Sequence, residues 1–433
     1  MATTRSSHVI ALLRRAACAL AVLAPLAAPA AAPAAELGLV TDLTWGAAAP
    51  DQEREYAALR ELGARWIRAE VNWAEVEPAR GAYHAWSLDQ IDAAVRRNRA
   101  AGRRVVILIS KAPRWASGSA DQGTPPRDPA DYARFAGMLA RRYARDGVAG
   151  YEIWNEPNIG RFWGGRPDAA AYVRLLRAAR GAIRAADPRA KIVFGGLSTN
   201  DLAYVRAAYA AGAKGLFDVM ALHPYSCEKR IDAVKRDASG TIRPGSFLGY
   251  RAVRAFMAAR GDRRPMWFTE LGWSTTGEPC GVSEAAQADR LRTSVALMDR
   301  DRYVRAVMFY GLRNSYWMHD ADATEARYGL LTTGFRAKPA FAAFRALSRK
   351  PIRVRAARGG RGRVRVSGRV SAVAARRVRV TLRRRQTRIA HVAAVRRGRF
   401  RVRLRGVRAG RWRVVAALAG RPHVRVARTL VVR

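Results

Sequence analysis

Residues 151–158 read Tyr-Glu-Ile-Trp-Asn-Glu-Pro-Asn, a short apolar run that ends in a carboxylate and a proline. Tyr, Ile and Trp favour a β-strand. Pro157 ends that strand because proline has no backbone N–H to donate to a sheet. Residues 266–273 repeat the arrangement as Met-Trp-Phe-Thr-Glu-Leu-Gly-Trp. Glu156 and Glu270 are therefore expected at the C-terminal ends of two strands, where parallel barrels carry their reacting groups.

Strands of this kind alternate with helical segments through most of the chain. The eight candidate strands cover residues 37–44, 65–68, 104–110, 150–156, 192–196, 217–223, 266–270 and 304–310. Ala- and Leu-rich segments such as 129–143 and 169–186 carry Arg on one face, which is typical of surface helices. Eight strand–helix units predict an α/β fold, a (β/α)8 TIM barrel over residues 36–349. The competing doubly wound sheet needs a Gly-rich phosphate loop after its first strand, which this sequence lacks.

The pattern changes near residue 350. Residues 338–344 predict the last barrel helix, and Pro351 follows it. Short runs in which Val, Leu or Phe alternates with Arg come next, at 363–366, 377–380, 400–404 and 423–426. One apolar face and one charged face per strand predict a small all-β sandwich over residues 351–433. Disorder is the alternative for so charged a segment, but its regular apolar residues can line a core.

The net charge of +45 is concentrated in that C-terminal segment. Residues 351–433 contain 27 Arg and no Lys, Asp or Glu, while the first 350 residues set 52 basic residues against all 34 acids, leaving +18. Such a charge attracts polyanions, and an anionic cell-envelope polymer is an expected partner. Arg enrichment through coding bias is the alternative. Nucleic acid is less favoured because Phe400 and Trp412 are the only Phe, Tyr or Trp residues there.

Residues 1–35 have the layout of a cleavable secretion signal. Arg5, Arg14 and Arg15 precede an Ala- and Leu-rich run, and Ala-Pro-Ala triplets follow at 28–30 and 32–34. A retained membrane anchor is the alternative, but the run is short for a bilayer span and prolines interrupt it. We therefore expect a protein that is secreted or associated with the cell envelope, with no membrane span after removal of the signal.

Three cysteines are present, and Cys18 lies within the predicted signal. Cys227 and Cys280 remain, an even number in a protein that is expected to be exported, which predicts a disulfide. Two free buried thiols are the alternative. Neither cysteine has His or Cys neighbours at the spacing of a zinc site, so no metal is indicated.

Several motifs together resemble one group of enzymes. They are Trp-Asn-Glu-Pro at 154–157, His-Pro-Tyr at 223–225 and Thr-Glu-Leu-Gly-Trp at 269–273, with Arg68 on the second strand. On these motifs, residues 37–349 resemble the retaining glycoside hydrolases of clan A, the cellulase-like barrels of family 5 and family 39 type. The resemblance implies that Glu156 is the acid/base and that Glu270 is the nucleophile. Retention requires the two carboxyl groups to lie about 5–5.5 Å apart.

The resemblance implies further roles, some of which have plainer alternatives. Arg68 and Tyr225 are expected to hold Glu270 ionised by charge and hydrogen bonding, and Asn155 is expected to bond the sugar 2-hydroxyl. His223 either lines the site or is a satisfied core histidine. Aromatic residues that either stack on a sugar or simply pack are Trp45, Trp115, Trp273, Tyr310 and Trp317. Tyr310 stands where many relatives carry a tryptophan.

Two details of the fourth strand affect this prediction. Strict strand alternation points Asn155 away from Glu156, so a bulge or the strand end must turn both residues toward the site. Glu152 is expected to be an acid inside the barrel that pairs with an arginine, rather than a catalytic group.

The predicted function is that of a secreted retaining glycoside hydrolase. It would cleave O-glycosidic bonds in a poly- or oligosaccharide with two glutamates and without a cofactor. The basic charge makes an acidic glycan a narrower candidate substrate. The alternative is a non-catalytic barrel that binds carbohydrate or the cell envelope and has a polyanion-binding tail.

Overall fold

The computed structural model describes residues 35–44, 48–276, 280–315, 323–348, 352–358, 362–370, 377–396, 399–419 and 421–432. The predicted secretion signal, residues 1–35, lies outside the described residues except for Ala35. Two of the aromatic candidates, Trp45 and Trp317, also lie outside them. Within the described ranges, no helix combines the length and the apolar character that a membrane span needs.

Nine parallel strands form one sheet in the N-terminal part of the chain. They are β1 (Glu36–Thr41), β2 (Trp66–Asn72), β3 (Arg104–Ser110), β4 (Gly150–Ile153), β5 (Lys191–Phe194), β6 (Leu197–Ser198), β7 (Met220–His223), β8 (Met266–Leu271) and β9 (Val304–Phe309). Their spatial order is β5-β4-β3-β2-β1-β9-β8-β7-β6. Backbone N–H groups of Phe194 and Asp218 bond β5 to the chain just before β7, which closes the barrel. The predicted TIM barrel is confirmed, with the two-residue β6 as an addition.

Helices lie between the strands and after the last of them. They are α1 (Ala49–Leu62), α2 (Trp73–Val76), α3 (Ala85–Ala100), α4 (Arg114–Ser117), α5 (Pro129–Tyr143), α6 (Ala169–Ala186), α7 (Leu202–Ala210), α8 (Tyr250–Ala259), α9 (Glu284–Met298), α10 (Ala323–Ala326) and α11 (Pro339–Ser348). The two segments predicted in detail match α5 and α6. Asp128 and Asp168 begin these helices, since each carboxylate accepts a hydrogen bond from a backbone N–H of the first turn.

Side chains inside the barrel lie in layers that the two-residue period of the strands sets. β2 shows the layers well, because Trp66, Arg68 and Glu70 are alternate residues of one strand. Trp66 belongs to an apolar cluster with Val106 and Trp267, which fills the barrel toward the N-terminal ends of these strands. Arg68 lies one layer further on, and Glu70 lines a cavity with it at the C-terminal ends. The charged site therefore rests on an apolar floor.

The C-terminal part consists of two antiparallel sheets. One contains β10 (Ile352–Arg358), β11 (Val364–Val370) and β14 (Arg399–Leu404), and the other contains β13 (Thr387–Ala394), β12 (Arg377–Arg384), β15 (Gly410–Leu418) and β16 (Arg421–Val432), each in that spatial order. Both sheets contribute to one apolar cluster, which includes Val366 and Val402 from the first and Val380 and Val414 from the second. The predicted all-β part is confirmed. The domain boundaries 1–35, 36–349 and 351–433 stay predictions.

Cys227 and Cys280 form the predicted disulfide, which joins the loops that follow β7 and β8. The two cysteines are 53 residues apart in the chain. A cross-link of that span removes a large amount of conformational entropy from the unfolded chain.

Replacing both cysteines, as Cys227→Ser with Cys280→Ser, should lower the free energy of unfolding by about 2–4 kcal/mol, because the unfolded chain regains its freedom. Urea unfolding of the oxidised protein measures this difference. Dithiothreitol should destabilise the wild type to a similar degree and leave the double variant unchanged. Equal unfolding curves for wild type and double variant would contradict a stabilising cross-link.

Candidate active site

A cavity of about 260 Å³ opens at the C-terminal ends of the barrel strands. Both predicted catalytic acids, Glu156 and Glu270, line it. Other predicted site residues that line the same cavity are Arg68, Asn155, Tyr225 and Tyr310. The barrel therefore gathers six residues that the sequence spreads over more than half of its length.

The chain after β4 explains how two neighbouring residues both reach this cavity. The strand ends at Ile153 rather than at the predicted Glu156, because Trp154 adopts a left-handed backbone conformation with φ of 67°. Glu156 is also left-handed, with φ of 40°. Such conformations cost about 1–3 kcal/mol each outside glycine. They interrupt the strand alternation, so Asn155 and Glu156 lie side by side, 9% and 8% exposed.

Surrounding hydrogen bonds hold this turn in place. The indole of Trp154 is buried and donates to the carbonyl oxygen of Phe162 at 2.6 Å. The backbone N–H of Trp154 donates to the carbonyl oxygen of Ile109, and that of Glu156 donates to the carbonyl oxygen of Gly196. The strained backbone is therefore fixed from three sides, which keeps the carboxylate of Glu156 in one position.

An irregularity in β8 lets two neighbouring residues, Thr269 and Glu270, both face the barrel interior. The register of β8 against β9 shifts between Phe268 and Leu271. Thr269 is fully buried, and its hydroxyl donates to Glu152 at 2.9 Å. Glu270, the next residue, carries its carboxylate into the cavity. Two consecutive residues of one strand thus face the barrel interior.

The two glutamates lie close together, with His223 beside them. One carboxylate oxygen of Glu156, one of Glu270 and one ring nitrogen of His223 all lie within 4.8 Å of one another. Nδ1 of His223 is 2.9 Å from Oε1 of Glu156 and 3.8 Å from Oε2 of Glu270. Its Nε2 is 3.0 Å from the hydroxyl of Thr269. His223 is thus a fully buried histidine that contacts the site from below rather than lining the cavity.

Arg68 connects the residues of the site. Its Nε donates to Oε2 of Glu152 at 2.7 Å, and its Nη1 donates to Oε1 of Glu270 at 2.5 Å. Its Nη2 donates to Oδ1 of Asn155 at 2.9 Å. Glu152 is therefore the buried partner of an arginine, as expected. The guanidinium of Arg68 thus positions Glu152 on β4, Asn155 in the turn after β4 and Glu270 on β8.

Arg68 and Glu152 keep each other ionised. Burial alone would lower the pKa of Arg68, but the negative charges of Glu152 and Glu270 outweigh burial and raise that pKa above its usual range. Burial would raise the pKa of Glu152, but the charge of Arg68 outweighs it, and the pKa of Glu152 falls to about 2. The Arg68–Glu152 pair therefore stays ionised at any ordinary pH.

His223 is held in its protonated form. Burial lowers the pKa of its imidazole, but the charge of Glu270 and the contacts with Glu152 and Glu156 outweigh burial and raise the pKa to about 9. The ring then donates from both nitrogens. One proton goes to Glu156 and the other toward Thr269.

Three tyrosines form one wall of the cavity. The hydroxyl of Tyr225 donates to Oε2 of Glu270 at 2.8 Å. Burial, and then the charge of Glu270, raise the pKa of Tyr225 well above its ordinary value, so the phenol keeps its proton. The ring of Tyr328 packs edge-on against both Tyr225 and Tyr310, with ring centroids 5.7 and 5.6 Å apart. Tyr310, a predicted site residue that stands where many relatives of the resembled family carry a tryptophan, thus lines the cavity.

The other aromatic candidates have different positions. Trp115 packs edge-on against Trp73, and its indole donates to the backbone oxygen of Glu77. Trp273 is 3% exposed and belongs to the core between strands and helices. Neither Trp115 nor Trp273 is among the described residues that line the cavity, so sugar stacking is not supported for them. Trp45 and Trp317 lie outside the described residues, and their roles stay predictions.

Sequence reasoning missed several residues of the cavity. Asp42, Glu70 and Lys111 line it, and each stands at the C-terminal end of a strand or directly after one. The rule that identified Glu156 would have identified these three as well. Tyr328 and Glu325 also line the cavity, but they lie in the long segment after β9, which carries no strand-end signal.

Glu156, His223 and Glu270 are also the described residues whose donor atoms could together hold a metal ion. The surroundings oppose a cation there. His223 holds a proton where a metal would need a lone pair, and the guanidinium of Arg68 already contacts Glu270. These surroundings disfavour a metal ion at the three side chains.

The protonated state of His223 predicts a dependence of stability on pH. Its pKa in the folded protein, about 9, lies above that of an unfolded histidine, about 6.5. The stabilisation is therefore fully present below about pH 6.5 and is lost as the pH rises through about 9. The free energy of unfolding should fall over this window by about 1 kcal/mol per pH unit in the wild type.

In a His223→Asn variant this fall should be absent. Chemical unfolding of both proteins between pH 6 and 9.5 measures the difference. The comparison removes the contribution of Lys338, a residue that both proteins share and whose pKa burial lowers to about 8. Parallel stability curves for the two proteins would mean that His223 is neutral throughout.

Comparison with known families agrees with this geometry. Residues 30–307 match the family described as cellulase (glycosyl hydrolase family 5). The search of curated proteins finds no match. Solved structures give the same fold at low identity. A family 39 glycoside hydrolase from the gut symbiont Bacteroides cellulosilyticus WH2 is 19% identical, with a TM-score of 0.59 over 87% of this chain and 80% of its own.

Two further structures are similar. The family 39 enzyme from Xanthomonas axonopodis pv. citri is 19% identical, with a TM-score of 0.58 over 87% of this chain and 93% of its own. A GH5_18 structure from Streptomyces cattleya, in complex with GlcNAc, is 17% identical, with a TM-score of 0.57 over 74% of this chain and 80% of its own. The resemblance inferred from the motifs is confirmed. Because the family match spans more than half of the chain and includes both glutamates, the chain belongs to the cellulase family, glycosyl hydrolase family 5.

Proposed function

We propose that the barrel is a retaining glycosidase that cleaves O-glycosidic bonds in an oligo- or polysaccharide by double displacement. The observation that carries this proposal is the position of Glu156 and Glu270, which have carboxylate oxygens within 4.8 Å of each other in one cavity. Retaining enzymes need about 5–5.5 Å between the carboxyl groups, whereas inverting enzymes need about 6.5–9.5 Å to admit a water. The closeness of these oxygens supports the retaining geometry.

In the first step Glu270 attacks the anomeric carbon. The bond from that carbon to the leaving oxygen breaks, and Glu156 gives its proton to this oxygen. His223 donates to Oε1 of Glu156, so Oε2 is the oxygen that carries the transferred proton. Arg68 and Tyr225 hold one oxygen of Glu270 each and aim the carboxylate at the sugar.

In the second step a water attacks the same carbon and releases the sugar from Glu270. Glu156, now ionised, takes the proton of that water. Arg68 donates to Oδ1 of Asn155, which leaves the side-chain NH2 of Asn155 as the donor toward the sugar. A hydrogen bond to the 2-hydroxyl of the sugar strengthens in the transition state.

The cavity favours a neutral sugar at the catalytic position. Besides the two catalytic glutamates, its lining includes Asp42, Glu70 and Glu325, whereas its cations are Arg68, Lys111 and Arg161. All three cations have acidic partners, since Arg68 pairs with Glu152, Lys111 lies 3.8 Å from Glu70 and Arg161 pairs with Glu325. A carboxylated sugar would therefore meet more negative than positive charge. The acidic substrate that the net charge suggested is not supported by this lining.

We also propose that the protein is secreted or associated with the cell envelope. The layout of residues 1–35 supports export. The disulfide between Cys227 and Cys280 supports an oxidising compartment, where such bonds persist. Detection of the mature protein outside the cytoplasm, with a new N-terminus near residue 35, tests this proposal.

Replacing either glutamate should remove activity in a characteristic way. Glu270→Gln should lower kcat at least about 10³-fold on every glycoside, because no covalent intermediate forms. Glu156→Gln should lower turnover about 10²–10⁴-fold on natural linkages. For an aryl glycoside with a good leaving group, Glu156→Gln should lower the rate of the first step much less, because that leaving group departs without receiving a proton.

These rates are measured on a panel of substrates, by a reducing-end assay for the glycans and by release of the leaving group for the aryl glycosides. Asp289→Asn, which alters an exposed carboxylate on α9, is the matched control and should keep full activity. Proton NMR of the first product should show the anomeric configuration of the substrate. Wild-type function in both glutamate variants would favour the alternative, a non-catalytic carbohydrate-binding barrel.

The charge of the cavity predicts a preference between related substrates. An uncharged aryl glycoside should be turned over at least about tenfold better than the corresponding uronide, because the acids that line the cavity outnumber its cations and repel a carboxylate. Glu70→Gln should narrow this preference. Measurements of kcat/KM at low and high salt test the idea, and a faster reaction with the uronide at low salt would contradict it.

A further inference from the structure

The sheet β10-β11-β14 has one face that is rich in arginine. Its inward residues, among them Val364, Val366 and Val402, are buried in the apolar cluster of the C-terminal part. Alternate residues of the same strands, among them Arg365, Arg401 and Arg403, point outward and are exposed. We name as the arginine face the exposed side chains of Arg355, Arg365, Arg399, Arg401 and Arg403.

Strand pairing places these arginines in register. Arg365 on β11 lies directly opposite Arg403 on β14. In the next row, Ser367 lies between Arg355 on β10 and Arg401 on β14. Directly opposed residues have Cβ atoms about 4.5–5.5 Å apart, and successive rows on one face are about 7 Å apart. The result is a regular array of cations.

A groove at one end of the array could hold part of a chain. Its volume is about 840 Å³, and its lining includes Arg355, Arg399 and Arg401 together with Arg396. Ser367, with its small side chain, and Gly368, which has none, also line the groove. Arginine therefore dominates a concave surface as well as a flat one.

This arrangement is unfavourable without an anion. Like charges directly opposite each other destabilise a sheet. Residues 351–433 contain no Asp or Glu that could neutralise them. A ligand with negative groups would relieve this repulsion, and the planar guanidinium pairs well with sulfate, phosphate or carboxylate.

We propose that the arginine face binds a linear anionic glycan, a sugar polymer with negative groups repeated along its length. Charges repeated over several rows suit a polymer better than a single ion. This binding site goes beyond the proposed function, since it lies on other residues than the catalytic cavity. It would hold the protein on a charged matrix while the barrel acts on a neutral sugar.

Two other polyanions fit the face less well. Single-stranded nucleic acid is held by aromatic stacking as well as charge, but Phe400 and Trp412 are 4% and 2% exposed and belong to the core. An anionic membrane is held by apolar side chains that insert between lipids. The apolar residues of β11 and β14 point into the core instead.

The test uses the full-length mature protein and dextran sulfate as the probe, with neutral dextran as the blank. The variant combines Arg355→Gln, Arg365→Gln, Arg401→Gln and Arg403→Gln. The control also removes four charges, from exposed positions on the barrel helices α1, α5 and α6, through Arg60→Gln, Arg141→Gln, Arg174→Gln and Arg177→Gln. Binding is measured as Kd against salt concentration, and a thermal melt checks that each variant folds.

The face variant should bind dextran sulfate at least about tenfold more weakly at 0.1 M salt, and the control should bind less than about threefold more weakly. The slope of log Kd against log salt should fall in the face variant by about 0.7–0.9 for each lost contact, as for phosphate polymers. Hydrolysis of a small soluble glycoside should be unchanged in both variants. If the wild type hydrolyses no glycoside, that result would contradict the catalytic proposal and leave the polymer-binding proposal unaffected.

Equal weakening in both variants would show that net charge, not this face, holds the polymer, and would overturn the proposal. So would tighter binding of duplex DNA, or of vesicles that contain phosphatidylglycerol, than of dextran sulfate at the same salt. If the fourfold variant does not fold, the single variants Arg401→Gln and Arg403→Gln carry the test. Each should weaken binding about two- to fivefold relative to Arg177→Gln, which removes one exposed charge from the barrel helix α6.

Discussion

The barrel site depends on the buried charge of Arg68. A buried cation without partners costs several kcal/mol, so this side chain is tolerated only because Glu152 and Glu270 oppose it. The same guanidinium also bonds Asn155. The requirement to pair one charge thus fixes the relative positions of β2, β8 and the turn after β4. Residues that must meet around a sugar are positioned before any sugar arrives.

Glu152 gives this network a second property. It stays ionised because the charge of Arg68 lowers its pKa to about 2, and it lies too deep to contact a substrate. In the proposed reaction Glu270 loses its charge when it becomes bonded to the sugar. Arg68 then still has Glu152 as a partner, so the covalent intermediate does not leave an unpaired buried cation. The charge of Glu152 therefore allows Glu270 to react.

Much of this site could be predicted because strands impose a simple geometry. Glu156 and Glu270 stand at strand ends, and Arg68 and Glu70 share a face of β2 through the two-residue period. The left-handed turn at Trp154 could not be predicted, since it depends on distant contacts with Phe162 and Gly196. The tryptophans were the weakest prediction, because packing and sugar stacking select the same side chain. Only the folded barrel shows that Tyr310 and Tyr328 provide the aromatic wall.

The most direct test of the account is to trap the covalent intermediate. A 2-deoxy-2-fluoro glycoside with a good leaving group, made from whichever sugar the panel shows to be hydrolysed, should react once and remain bound. Digestion and mass spectrometry should then locate the sugar on Glu270, with no label in Glu270→Gln. Label on any other residue, or steady turnover of natural substrate with inverted product and no label, would contradict the assignment of Glu156 and Glu270.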